Sequence, residues 1–357
     1  MKKIAVVGTG TIGHLVGGFL SHGGHDVTVV SQFRRTAAEV FAQKGITVKF
    51  NDQVFTTPVK AAFWEDLGDQ DLFDIIMITG SADFTADAVT KMKPHAAPGA
   101  YWSSFQNGIP EDVIVPMVGR ENVIPVVCFA GGRTPEVGTV VTHDGFFVIG
   151  EMDGSITPRL KELEQILSCA KRVELSTDIV SARWEKLCMA VGMPARNSSG
   201  LETYEDRNLQ ICIARCATEY YHLAQACGAN PRQAIGIPFS EWPRYVNGCK
   251  TPEEEKSLIE RCSSVFAPSK EELGDMAWTI NPMELAGKLV PERRLPMEGH
   301  HTMGYVVDKA KEMGVPVPTY DFLYPYVYDV AHRKIPADPK YLALAVEATN
   351  EFYRDMG

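Results

Sequence analysis

Gly8-x-Gly10-x-x-Gly13 follows the apolar run Ile4-Ala-Val-Val7, and Gly17 comes one helical turn later. At this spacing Gly8 permits the tight turn leaving a strand, Gly10 lets the backbone approach a pyrophosphate, and Gly13 lets a helix pack closely on a sheet. The unpaired N–H groups and positive dipole end of that helix then face phosphates, with Thr11 and Ile12 in the same contact zone. The pattern predicts a dinucleotide site. After the next β-rich run comes Ser31-Gln32-Phe33-Arg34-Arg35, where an NAD-preferring site usually carries Asp or Glu. Ser31, Gln32, Arg34 and Arg35 instead supply hydroxyl, amide and guanidinium donors suited to a 2′-phosphate, which predicts NADP(H). Arg34 and Arg35 also fit as solvated charges opening a helix.

Gln106-Asn107-Gly108 follows an apolar run, at the end of a strand where open α/β sheets bind ligands. Asn107 could donate to a substrate carbonyl or carboxylate and accept from the nicotinamide ribose; an Asn-Gly turn fits the same residues. Lys186, in Trp184-Glu185-Lys186-Leu187, lies beside an apolar stripe of Val180, Leu187 and Val191. A partly desolvated ammonium there would attract a carboxylate and protonate a developing alkoxide, and a surface pair with Glu185 is the plain alternative. Glu298 would hold a substrate hydroxyl, keep Lys186 protonated, or serve only as a helix-start acid. The neighbouring His300 and His301 lack the i, i+4 spacing of a helical metal site, so no metal is expected.

These residues need elements to place them. Lys3–Val7, Asp26–Val30, Ile46–Phe50, Asp74–Ile78 and Ala100–Ser104 read as strands alternating with helical patterns such as Phe84–Met92, which predicts a doubly wound sheet. Val123–Phe129, Gly138–His143 and Phe146–Gly150 follow after short turns and are expected as antiparallel additions. From Ile179 the period turns helical, clearest over Ile179–Val191, Leu209–Cys227 and Met303–Met313, with Thr251–Arg261 a capped, charged helix. The expected organisation is an α/β Rossmann-type dinucleotide domain over 1–178 and an all-α substrate or dimerisation domain over 179–357.

The bulk composition agrees with a two-domain globular chain: 357 residues, 45% hydrophobic and 22% charged. A net charge of −10 argues against a nucleic-acid or anionic-membrane surface and leaves a small molecule as the expected partner. The Met1-Lys2-Lys3 start feeds a strand rather than a signal peptide, and no apolar stretch reaches the roughly 18 residues that cross a bilayer. Eight cysteines without Cys-x-x-Cys spacing read as reduced core thiols, implying a cytoplasmic protein. Tyr220, Tyr221 and the aromatics of Tyr320–Tyr328 would serve core packing or a homodimer face.

Taken in order, the glycine fingerprint, Gln106-Asn107-Gly108, Trp184-x-Lys186-Leu187 and Glu298…Gly304-Tyr-Val-Val ending in Gly314-Val-Pro-Val-Pro-Thr resemble the ketopantoate reductase family. Val137-Gly-Thr-Val140 and Val148-Ile-Gly-Glu151 extend the resemblance over nearly the whole chain. It implies a Rossmann domain, a helical domain, and NADPH-dependent reduction of a 2-oxo acid, 2-dehydropantoate or a relative, in the cleft between them. Lys186 matches the family's general acid, Asn107 its cofactor and substrate contact, and Glu298 the acid that binds the substrate's hydroxyl end. Departures fall where substrate is chosen: the family's asparagines four and eight residues beyond the lysine are Ala190 and Pro194, its lysine after the fourth strand is Ser81, and its serine before Glu298 has no clear match. Asn197, Ser198, Ser199 or Asn281 could substitute. Competing readings are an opine-type dehydrogenase using His300 or His301 as base, and a non-catalytic NADP(H) sensor.

Overall fold

The computed structural model describes residues 1–201, 203–266, 300–332 and 334–354. The chain divides into two compact units, Met1–Arg183 and Trp184–Gly357. In chain order the first holds β1 (Lys3–Val7), α1 (Thr11–His22), β2 (Asp26–Ser31), α2 (Arg35–Lys44), β3 (Ile46–Phe50), β4 (Gln53–Thr57), β5 (Lys60–Phe63), β6 (Phe73–Ile78), α3 (Thr85–Met92) and β7 (Ala96–Ser104). Then come α4 (Glu111–Val118), β8 (Val126–Cys128), β9 (Gly132–Glu136), β10 (Thr139–Thr142), β11 (Phe146–Ile149), α5 (Pro158–Leu167), β12 (Arg172–Leu175) and the start of α6 (Ile179–Leu187).

The main sheet is parallel throughout, in the order β5-β2-β1-β6-β7. Both faces of β1 are buried, which is why it reads as an unbroken apolar run rather than an alternation. Ile4 and Val6 pack with Leu15, Val16, Phe19 and Leu20 of α1, while Ala5 and Val7 face Ala88, Val89 and Met92 of α3 and Ile114 of α4. Each Val, Leu, Ile, Phe or Met among them contributes about 1.5–3 kcal/mol on burial. The Rossmann-type sheet expected from the sequence is present.

Two expectations are corrected. Ile46–Phe50 leaves the main sheet and joins a second one, β4-β3-β10-β9; the short strand β5 takes the place beside β2, pairing Thr28 with Lys60 through Ser31 with Phe63. The late strands are not simply antiparallel: β10 runs parallel to β3 and β11 parallel to β12, with antiparallel partners β9 and β8 on their other sides. Helix α1 lies between the two sheets because Gly17 admits Val29 of β2 and Gly18 admits Val48 of β3.

The second unit is mostly helical. It contains α7 (Met189–Ser199), α8 (Arg207–Ala226), a small hairpin of β13 (Gln233–Ala234) and β14 (Ile237–Pro238), α9 (Pro252–Phe266), a π-helical turn over His300–Gly304, α10 (Tyr305–Met313), α11 (Pro318–Ala331) and α12 (Lys340–Tyr353). The single helix expected over Ile179–Val191 is interrupted at Cys188, whose N–H is shared between the Trp184 and Glu185 carbonyls. α8 is the central member, packed by α7, α10, α11 and α12. Tyr220 and Tyr320 are fully buried in this core, whereas Tyr328 is exposed. The cysteines are free, but only Cys128, Cys212, Cys216 and Cys262 are buried and Cys169 is exposed, so core packing accounts for part of the set.

Candidate active site

The β1–α1 loop is stitched to both neighbouring strands. Gly8 N–H donates to the Val30 carbonyl at 2.9 Å, and the Thr79 and Gly80 N–H groups donate to the Val7 carbonyl at 2.8 and 3.2 Å. Gly8 has φ +128°, in the region that favours glycine, and a Cβ on Gly13 would run into the Gly8 carbonyl. Above Gly10 the space is open, with nothing within 4 Å of a notional Cβ. That combination, a rigid loop with a bare backbone at a helix N-terminus, fits a pyrophosphate. Thr11 meets Thr134 of β9, Oγ1 to Oγ1 at 3.1 Å, and Ile12 packs against the core. His14, buried one turn into α1, ties Gly10 to Gly138 in the β9–β10 turn.

The residues after β2 differ in burial and in partners. Ser31 is fully buried and its hydroxyl donates to the Arg34 carbonyl at 2.7 Å, so it shapes the turn from inside. Arg35 pairs with Asp66 and lies over the Phe63 ring at 4.7 Å. Arg34 is half-buried at the start of α2. Gln32 is 4% exposed, its oxygen fills the space over Gly80, and its Nε2 is buried with no partner among the described residues. Beside it Phe33 lies 4.3 Å from Phe84 and 5.6 Å from Trp64, ring centre to ring centre, an aromatic cluster the sequence reading missed.

Asn107 is half-buried just past β7, and Gly108, at φ +84°, completes the turn. Gln106 anchors it: its oxygen accepts from Thr85 and Ser104 hydroxyls at 3.0 Å each, and its amide donates to the Gly80 carbonyl at 3.1 Å. The structure therefore brings the glycine loop, Gln32 and the Asn107 turn to the carboxyl edge of one parallel sheet.

In the second unit, Trp184 and Leu187 are buried and fix how α6 presents Lys186, which is half-buried. Trp184 packs against Tyr220 and Tyr305, and its carbonyl accepts from the Tyr220 hydroxyl. Glu185 accepts from Arg232, N and Nε both at 3.3 Å. Burial pushes the neighbouring Cys188 thiol up to about 12, which makes it a poor nucleophile. Ala190 is buried, and its carbonyl accepts from Tyr320 at 3.4 Å; Pro194 sits inside α7. Asn197 follows at helical spacing, half-buried, with Nδ2 buried and no partner among the described residues. His300 Nδ1 lies 3.2 Å from the Tyr324 hydroxyl. Glu298 and Asn281 lie outside the described residues. Among the described residues no cluster of His, Cys, Asp or Glu could hold a metal, and no helix is long and apolar enough to cross a membrane.

Residues 4–154 match the family model described as Ketopantoate reductase PanE/ApbA. Over these residues the chain carries the ketopantoate reductase PanE/ApbA domain. The chain is 23% identical over 335 residues to a Bacillus subtilis protein described as an uncharacterized oxidoreductase, YkpB, covering 90% of this chain and 96% of that one. It is 24% identical over 338 residues to a Nostoc 2-dehydropantoate 2-reductase, covering 90% and 93%. In fold it matches a PanE/ApbA family ketopantoate reductase of Ralstonia eutropha JMP134, TM-score 0.70 at 20% identity, over 93% of this chain and 99% of that one. A ternary structure of D-mandelate dehydrogenase with NADH and anilino(oxo)acetate gives TM-score 0.71 at 19% identity, over 96% and 99%. The curated relatives are described as an oxidoreductase and a 2-dehydropantoate 2-reductase, and the fold neighbours as a ketopantoate reductase and a dehydrogenase.

Proposed function

We propose that the protein uses NADPH to reduce a 2-oxo acid to the 2-hydroxy acid, with 2-dehydropantoate or a related compound as substrate. The observation that carries this is the bare Gly10 backbone at the edge of a parallel sheet, in a segment, 4–154, that matches this family's model. Gly8, Gly10, Thr11, Ile12 and Gly13 would hold the pyrophosphate, Gln32 and Arg34 the adenosine end, and Asn107 the nicotinamide end. The bound nicotinamide supplies a hydride for the ketone carbon. Lys186 polarises the ketone oxygen and gives it a proton, so one C–H and one O–H bond form. Asn107 donates to the substrate's carbonyl or carboxylate, and Glu298 would hold its hydroxyl end. A positioned general acid contributes about 10²–10⁴ in rate, so Lys186→Ala is expected to lose that much kcat. A Lys186→Ala protein with normal turnover would overturn the mechanism. A panel of 2-oxo acids assayed with NADPH and NADH tests substrate class and cofactor together.

A second reading, an aryl or alkyl 2-oxo acid, draws on Ala190 and Pro194. Two amide positions of the family are apolar here, and the Ala190 carbonyl is already taken by Tyr320. A site without those donors favours an apolar substituent over a hydroxylated one, because polar substrate groups would be buried unpaired. D-mandelate, named for a relative of like fold, is such an aryl 2-hydroxy acid. Asn197 would then remain as the amide on that stretch of helix able to meet a polar substrate group.

A further inference from the structure

Arg183 and Glu111 form a buried ion pair, Nη2 to Oε1 at 2.6 Å, with exposures of only 3% and 5%. The same guanidinium donates from Nη1 to the Gln106 carbonyl at 3.1 Å and from Nη2 to the Ser104 carbonyl at 3.2 Å. Those two carbonyls bracket the short segment that carries the chain from β7 to Asn107. A buried charge pair is a costly way to fill a core, and apolar replacements are often as stable or better. This pair is not even optimised for its own bonds: Glu111 Oε2 and Arg183 Nε are buried with no partner among the described residues. What an apolar side chain could not supply is the planar fork, which fixes two carbonyls at a set separation; a lysine ammonium lacks that fork as well.

We infer that Arg183, held by Glu111, is a positioning residue that sets the Gln106–Asn107–Gly108 turn for contact with the nicotinamide half of the cofactor. The inference rests on the role given to Asn107 under Proposed function. Gln106 clamps the turn through its side chain to Thr85, Ser104 and Gly80, and Arg183 clamps it through the backbone. Without Arg183 the turn keeps its sequence and loses its fixed carbonyls.

The test uses the full chain with Arg183→Met, Arg183→Lys, Asn107→Ala and the Arg183→Met/Asn107→Ala double variant. Two probes are compared, NADPH and 2′-phospho-ADP-ribose, which lacks the nicotinamide. In Arg183→Met the amides of residues 105–108 should exchange at least about tenfold faster, and the Kd for NADPH should rise about tenfold while that for 2′-phospho-ADP-ribose stays within about twofold. On the Asn107→Ala background Arg183→Met should add less than about twofold, because both changes remove the same contact. Arg183→Lys should be intermediate, and it carries the comparison if the Met variant does not fold. Unchanged exchange at 105–108, equal weakening of both ligands, or losses that multiply in the double variant would overturn the inference. If Asn107→Ala alone binds NADPH like the wild type, the contact assigned to Asn107 is wrong, and the exchange measurement alone decides whether Arg183 sets the turn.

Discussion

Gly138 donates its backbone N–H to Nε2 of His14 at 3.0 Å, which forces the ring proton onto Nδ1, where it serves the Gly10 carbonyl at 2.8 Å. A neutral imidazole thus joins Gly10, the residue before the cofactor helix, to the β9–β10 turn, edge-on to Phe41. Burial lowers its pKa from 6.5 to about 4, against the opposing Gly10 bond. Between these values the unfolded chain binds a proton that the folded chain refuses, so stability is complete above pH 6.5 and falls as the pH drops toward 4. The expected loss is about 3 kcal/mol by urea titration, and a His14→Gln protein should lack this slope.

Gly10 and Gly13 separate ligand binding from folding. An alanine at 13 meets the Gly8 carbonyl and should cost more than about 2 kcal/mol of stability. Gly10→Ala has open space and an ordinary extended backbone, so its stability should change by less than about 1 kcal/mol. Its methyl would nevertheless stand where a pyrophosphate approaches, and NADPH affinity should drop at least about tenfold. Fluorescence titration beside thermal unfolding checks both, and a Gly10→Ala protein with wild-type affinity would refute the site.

Cofactor choice should turn on Gln32 rather than on Ser31 or Arg35. Ser31 spends its proton on Arg34 and Arg35 is paired with Asp66, whereas the buried Gln32 amide has no partner among the described residues. Replacing it by the isosteric Glu places a carboxylate that repels a 2′-phosphate and accepts from a ribose diol. The NADPH-to-NADH ratio of kcat/KM should fall by about tenfold to a hundredfold, while Ser31→Ala shifts it little.

Glu219 gives the helical unit the opposite response to pH. Its carboxylate accepts from the Thr319 and Tyr320 N–H groups at 2.8 and 3.2 Å and from the Tyr353 hydroxyl at 2.6 Å, yet burial still raises its pKa from 4.5 to about 7. With the folded value raised, its contribution is complete below about pH 4.5 and is lost as the pH climbs through 7, by about 3 kcal/mol. Hydrogen exchange resolved by segment should show α8 and α11 loosening toward pH 8 while α1 loosens toward pH 4. Glu219→Gln should flatten the first trend only.

The sequence carried the ligand edge of the fold well because glycine spacing and buried runs are local signals. Partner choice between strands is not local. Ile46–Phe50 has the alternation of a strand in either sheet, and nothing in Lys60-Ala-Ala-Phe63 announces the edge strand that displaced it from β2. Ser31 was legible as a hydroxyl in the right place, but only the backbone shows that Arg34 claims its proton. The Arg183–Glu111 pair left one trace: Arg183 interrupts the stripe Ile179, Leu187 at i and i+4 spacing, where an apolar residue belongs. Arg215 and Glu219 leave the same trace amid the buried face of α8.

Because α6 is capped by Asp178, whose carboxylate accepts the Ser181 N–H at 3.0 Å, and yet delivers Arg183 to the first unit and Lys186 to the second, the helix cannot be apportioned to either half. A fragment ended at Asp178 would look like a complete dinucleotide domain in its sheets and glycines while lacking the guanidinium that its own β7 exit requires. The shortest piece of this scaffold that keeps the clamp therefore runs through Arg183, into α6, rather than stopping at Asp178.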